Sequence, residues 1–226
     1  MEEYEWEYGS PLPLSPLGPR VRVVSGGSRK PDLSQESHKE VEELFVQVGG
    51  VDFRILRLFP SLQTLFVDAA VRNLDGIESA LCLKTAFLGD GCSGVSLECL
   101  TELPQLEHLD LAGATESQLA SVSKMAGLAH LAYERPAATE LPAPEGLDSF
   151  TVRGGGVQVE SLGASPKRVH LYRCRKLRRI EGSWGETEEL DAIGCRQLGV
   201  DVLSLFPRLE VLRVDAATMG VRLSRS

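Results

Sequence analysis

The chain has no run of eighteen or more apolar residues, so no membrane-spanning helix is expected. Its first residues, MEEYEWEYGSPLPLSPLG, lack a positively charged start and a continuous apolar stretch, and do not read as a secretory signal. Cysteine is scarce and odd in number: Cys82, Cys92, Cys99, Cys174 and Cys195, with no C-x-x-C pair. That argues against a disulfide framework and a zinc site, and fits buried free thiols in a reducing compartment, so a cytoplasmic location is expected. Positive charge is in deficit, with 24 Lys and Arg against 32 Asp and Glu and a net charge of -8. A broad nucleic-acid or anionic-membrane surface needs the opposite sign, so neither is an expected partner. Signatures of catalysis are missing too: no H-E-x-x-H, no G-x-S-x-G and no Gly-rich phosphate loop. GDGCSG (89–94) and RGGG (153–156) fall where strands should end, and glycine there permits a tight turn. The expectation is a protein without enzymatic activity or cofactor.

What the chain does have is repetition. Residues 58–70, LFPSLQTLFVDAA, and 205–217, LFPRLEVLRVDAA, match at nine of thirteen positions without a gap. Their offset of 147 is seven periods of 21. LPQLEHLDLAGA (103–114) is a looser third copy. The shared pattern is L-x-x-L-x-L followed by small residues. Its fourth positions recur at Leu44, Leu65, Ala86, Leu109, Leu131, Phe150, Val169, Leu190 and Leu212, with a weaker copy at Val21. Spacings between the nine run from 19 to 23.

Within each copy, apolar fourth and sixth positions alternate with variable ones, the period of a strand with one buried face. One such strand cannot bury that face alone, but stacking copies builds a parallel sheet over a continuous core. The segments between strands carry their own apolar positions: Leu74, Ile77 and Leu81; Leu97, Leu100 and Leu103; Leu119, Val122 and Met125. One copy has an alternative. SHKEVEELFVQVGG could be a capped helix, with Ser37 and Glu40 at capping-box spacing and Gly49-Gly50 at its end.

The ninth position of the copies is small or polar: Ala70, Gly91, Ala114, Gly155, Cys174, Cys195 and Ala217. With VHLYRCRKLRRI and LDAIGCRQL, this resembles the leucine-rich-repeat signature L-x-x-L-x-L-x-x-N/C-x-L. The resemblance covers roughly residues 41–217. It implies an α/β solenoid, a horseshoe with a parallel β-sheet on its concave face and short helical or irregular return segments on its convex face. It also implies that Cys174 and Cys195 turn inward and satisfy backbone groups at the strand ends. The copies depart from the family in lacking Asn at the ninth position, and no subfamily is assigned. Residues 1–18 would be a flexible or capping tail, 19–40 a possible capping strand with a linker, 41–217 the solenoid of about nine repeats, and 218–226 a C-terminal tail.

In that register the fifth positions point outward from the sheet. Phe45, Phe66 and Phe87 would form an aromatic row, and an exposed row of that size usually marks a contact surface. The alternative is that Tyr4, Trp6 and Tyr8 cover it. Lys167, Arg168, His170, Tyr172 and Arg173 make a basic, aromatic-edged spot that could take an acidic loop, or could pair with Glu188, Glu189 and Asp191 on the next strand. These eight residues, three Phe and five from the basic strand, are the candidate partner-binding residues. The expected function is a non-enzymatic protein–protein interaction module of adaptor, scaffold or inhibitor type, the last including immunity proteins. The alternative is a metal-dependent enzyme built on His108, Asp110, His130 and Glu134, whose imidazoles and carboxylates could hold a metal or move a proton.

Overall fold

The computed structural model describes residues 3–24, 32–138, 141, 144–155, 159–162, 165–182, 184–198 and 200–215. Residues 25–31 of the expected linker, Ala217 and the expected tail 218–226 lie outside the described residues.

Period-two alternation becomes strand wherever the repeat reading placed it. The strands are β1 (Tyr4–Glu7), β2 (Arg20–Val24), β3 (Glu43–Val46), β4 (Thr64–Val67), β5 (Thr85–Leu88), β6 (His108–Ala112) and β7 (His130–Glu134). They continue with β8 (Ser149–Arg153), β9 (Val159–Leu162), β10 (Arg168–Tyr172), β11 (Arg179–Gly182), β12 (Glu189–Ile193) and β13 (Val211–Val214). Eleven of them hydrogen-bond in chain order, leaving out β9 and β11, as an open, solenoid-like sheet. β3 resolves the open choice over residues 37–50 as a strand. The weaker copy at Val21 is a strand as well.

The chain divides into two compact units, residues 1–109 and 110–226. In the first, β1 to β5 pair in parallel, and the register sets Val21, Leu44, Leu65 and Ala86 in one row. These residues are buried, as are the sixth-position residues Val23, Val46, Val67 and Leu88. The return segments are turns of 3-10 helix at Phe53–Leu58, Ile77–Ser79, Asp90–Cys92 and Glu98–Glu102. Phe53, Ile55, Leu56 and Leu58 bury against the strands from the first of these, and Asp52 caps it by accepting from the Arg54 N–H at 3.1 Å. Gly91 lies so close to the preceding rung that a Cβ on it would meet the Ala69 carbonyl oxygen at 2.3 Å, which explains why the residue there has no side chain.

The N-terminal residues extend this sheet. The parallel register places Trp6 opposite Val23, and Trp6 is only 1% exposed. Its ring meets Phe59 edge-on at 6.3 Å and Tyr8 at 6.1 Å. The Tyr8 hydroxyl accepts from the Asp52 N–H at 2.8 Å. Trp6 therefore closes the first core layer and is not a cover for the outward phenylalanines.

In the second unit, β7, β8, β10, β12 and β13 pair in parallel, with Leu131, Phe150, Val169, Leu190 and Leu212 in one row. Four of these are buried, but Leu212 is 37% exposed, contrary to its expected burial. Among the described residues, β13 has a strand partner on one side only, so the inner side of Leu212 lacks the next layer that covers its equivalents. Leu81, read as inward, is 60% exposed; Ala80 and Leu83 fill the core beside it, because a short 3-10 turn shifts the inward phase of that segment. The return segments here include the helix α1 (Glu116–Val122), whose Gln118 side chain accepts from the Thr115 N–H at 3.1 Å. They also include a second, two-stranded parallel sheet of β9 and β11, where helical or irregular segments were expected. No helix among the described residues is long and apolar enough to cross a membrane.

Candidate functional site

The outward row of the first unit forms as a ladder. Parallel pairing sets Phe45 opposite Phe66 and Phe66 opposite Phe87. The rings stack with centroids 4.4 Å apart at both steps and planes within 3° and 1° of parallel. The rung spacing of a sheet, roughly 4.8 Å, imposes that separation. His108 ends the row with its ring 6.0 Å from Phe87, tilted 37°. All three phenylalanines are half-buried, because each ring shields the face of the next and leaves its edge to solvent. Arg22 lies opposite Phe45, and its guanidinium bonds to Glu3 and to Gln47.

The basic strand of the second unit is organised differently. Asp191, at an outward position of β12, is only 6% exposed. Three neighbours meet its carboxylate: His170 Nδ1 at 3.2 Å, the donating Tyr172 hydroxyl at 3.3 Å and an Arg213 guanidinium nitrogen at 3.1 Å. Arg213 also pairs with Glu189. The His170 and Tyr172 rings are parallel, 6.2 Å apart. Burial beside the Asp191 carboxylate pushes the Tyr172 phenol above its ordinary value. Lys167 pairs with Asp148 at 3.0 Å, which holds that carboxyl below the usual aspartate range. Of the five residues read as one basic spot, three are thus engaged with acidic neighbours on adjacent strands, and Arg168 and Arg173 remain exposed. The role of Arg213 was missed; its 22-residue distance from Asp191 is one step of the repeat and was the available signal.

The corner after each strand carries a further feature. Cys174 and Cys195, both buried free thiols, sit one rung apart. The Cys174 sulfur lies 3.5 Å from the Val152 carbonyl oxygen and 3.6 Å from that of Tyr172. The Cys195 thiol donates to the Leu171 carbonyl at 3.4 Å. They satisfy backbone acceptors where the strands turn. Ala114 is buried at the same position, but Ala70 and Gly155 are exposed, so the inward ninth position is not kept through the chain. Val71 and Cys92 take the inward place in two repeats of the first unit because the chain turns one residue later there.

The proposed metal set fares otherwise. Among the described residues no group of three or more His, Cys, Asp and Glu side chains is placed to hold a metal ion. Asp110 instead contacts Arg153 at 3.5 Å, and burial raises its pKa against the pull of that arginine. Comparison of the chain with protein-family models, curated proteins and solved structures returns no match.

Proposed function

We propose that the chain is a leucine-rich-repeat module that holds a protein partner on its sheet face, as an adaptor, scaffold or inhibitor, without catalysing a reaction. The observation that carries this reading is the Phe45–Phe66–Phe87 ladder, three stacked rings on the sheet face that the core does not use. Apolar area left in water costs roughly 25 cal/mol per Å², so a row of ring edges on a solvent-facing sheet favours association. Stacking pre-orders the three side chains, which lowers the entropy lost when they are covered. The leucine-rich-repeat assignment rests on the repeat pattern together with the inward thiols of Cys174 and Cys195.

The test runs wild type and Phe66→Ser side by side as affinity baits in extract from the native cell. A stoichiometric protein held by wild type should bind the variant at least ~30-fold more weakly, the equivalent of about 2 kcal/mol for a contact anchor. Circular dichroism should show the variant folded. Equal retention by a folded Phe66→Ser would remove the ladder from the binding surface. An unfolded variant would make these rings part of the core.

A further inference from the structure

The second unit has a further charged feature, which shares Arg173 with the basic strand and continues past it into the corner. Between positions 173 and 179 five of seven residues are basic: Arg173, Arg175, Lys176, Arg178 and Arg179. All five are exposed, while Cys174, Leu177 and Ile180 between and after them turn into the core. Arg196 stands in the equivalent corner one rung on, after Cys195 as Arg175 stands after Cys174. Among the described residues no carboxylate lies within ion-pairing distance of Arg173, Arg175, Lys176, Arg178 or Arg196. Arg178 meets only the Gln197 side chain, at 2.9 Å. This contrasts with the sheet face nearby, where acidic neighbours engage Lys167, His170 and Arg213.

Backbone conformation gives a second, independent observation. The residue after each strand of this unit's main sheet, up to β12, is left-handed. It is glycine at Gly113, Gly154 and Gly194, with φ of 63°, 72° and 75°, and arginine at Arg135 and Arg173, with φ of 47° and 56°. Glycine is the low-strain residue at such a corner, and an arginine there is held at a steric cost. Arg173 begins the ridge. A strained, unpaired cation that local folding would replace with glycine points to a use for its side chain.

We propose that the corner ridge of Arg173, Arg175, Lys176, Arg178 and Arg196 docks an acidic segment of a protein partner. Four guanidinium groups offer fork-shaped donors matched to carboxylates, and the Lys176 ammonium adds a point charge. Beside the ridge, Ile193 is 40% exposed and Tyr172 is half-buried, an apolar border suited to a side chain of the bound segment. The same border favours a polypeptide over nucleic acid. A nucleic-acid strand would bring sugar and base edges to Ile193, where a polypeptide can place a flexible aliphatic side chain. The site lies outside the unit that holds the phenylalanine ladder, so the two stand or fall separately.

The experiment uses the full chain and a fluorescein-labelled Glu-rich peptide with one central Leu, read by fluorescence anisotropy at low salt. An oligothymidylate of matched charge and phosphatidylserine vesicles serve as competing probes. The peptide should bind most tightly, and added NaCl should weaken it. The triple variant R175Q/K176Q/R178Q should lose at least ~tenfold in affinity with an unchanged melting temperature. Arg173→Gly should weaken binding while holding or raising the melting temperature, a combination that a purely structural arginine would not produce. Arg57→Gln, which removes an exposed cation from the first unit, should bind the peptide as wild type does. Tighter binding of the oligonucleotide or vesicles, equal peptide binding by the triple variant, or no peptide binding at low salt would overturn the proposal.

Discussion

The two units use one strand register to build opposite surfaces. Residues 1–109 hold nine Lys and Arg against seventeen Asp and Glu, a net of -8, while residues 110–226 hold fifteen of each. The acidic unit nevertheless carries the apolar ladder, and the neutral one carries an ion network. At the same outward position, Phe45, Phe66 and Phe87 stack in one unit, while His170, Asp191 and Arg213 bond in the other. Parallel in-register pairing brings like positions together, so whatever chemistry a row repeats is amplified. Rings stack at roughly 0.5–1.5 kcal/mol per pair beyond their buried area. Charges must alternate in sign along the row or repel. The inner rows differ less: both are mostly aliphatic, and the second unit adds the buried rings of Tyr133 and Phe150.

The largest expected effect separates the inner row from its edge. Leu65→Ala should cost about 2–5 kcal/mol in a denaturant titration, since Leu65 is fully buried. Leu212→Ala, the same register position on β13, should cost under ~1 kcal/mol. Equal losses would mean that Leu212 is covered in solution.

The ion network gives the next contrast. Asp191→Ala removes an acceptor shared by His170, Tyr172 and Arg213, and should cost about 1–2 kcal/mol. High salt should reduce that loss, because the Arg213 side chain is more than half exposed. Phe66→Leu in the ladder should show no such salt dependence. A loss for Asp191→Ala that is identical in low and high salt would argue that packing, not charge, holds this row.

Thiol reactivity sharpens the comparison without perturbing the fold. Cys82 is half-exposed and should label first with a thiol reagent at pH 8. Burial pushes the Cys99 thiol up to about 11, leaving on the order of one thiolate in a thousand at that pH. Cys92, Cys174 and Cys195 are buried and should label only on unfolding. Early modification of Cys174 or Cys195, followed by mass spectrometry, would show that the second unit opens more readily than the first.

The smallest effect concerns Asp110. Burial raises its pKa in the folded state above the unfolded value, so its contribution to stability is fully present in acid and lost as pH rises through the folded value. Asp110→Asn should therefore be more stable than wild type at pH 7 and should gain nothing below the ordinary aspartate range. Urea midpoints at both pH values check this. A destabilised variant at pH 7 would mean that the Arg153 contact outweighs burial.

Much of this arrangement is legible in the sequence itself. The match of 58–70 to 205–217 set the period, and the period set which side chains share a row. The ladder followed from three phenylalanines spaced by 21. The first strand was harder to see, because Glu residues surround Trp6. Yet EYEWEY alternates with period two, and its aromatics lie at alternate positions of a strand whose Trp6 is core. β9 and β11 left little trace, since a four-residue strand gives two alternations, and their pairing depends on neighbouring return segments. The burial of Asp191 was also hidden. Charge at an outward position normally means exposure, and here partners on both flanking strands close over it.

The paired rungs have a kinetic consequence. Within each unit the strand partners lie only 17 to 23 residues apart along the chain, as Tyr4 with Val21, Val21 with Leu44 and Leu190 with Leu212. Every pairing closes a loop of nearly the same length, so no step carries the entropic penalty of joining distant segments. Two adjacent rungs can nucleate anywhere, and the next adds to the edge they present. Sheet proteins usually fold slowly because their contacts are remote in sequence. This one should refold faster than its strand content suggests, and inserting a glycine-rich loop between two rungs should slow it only by the weak logarithm of the added length.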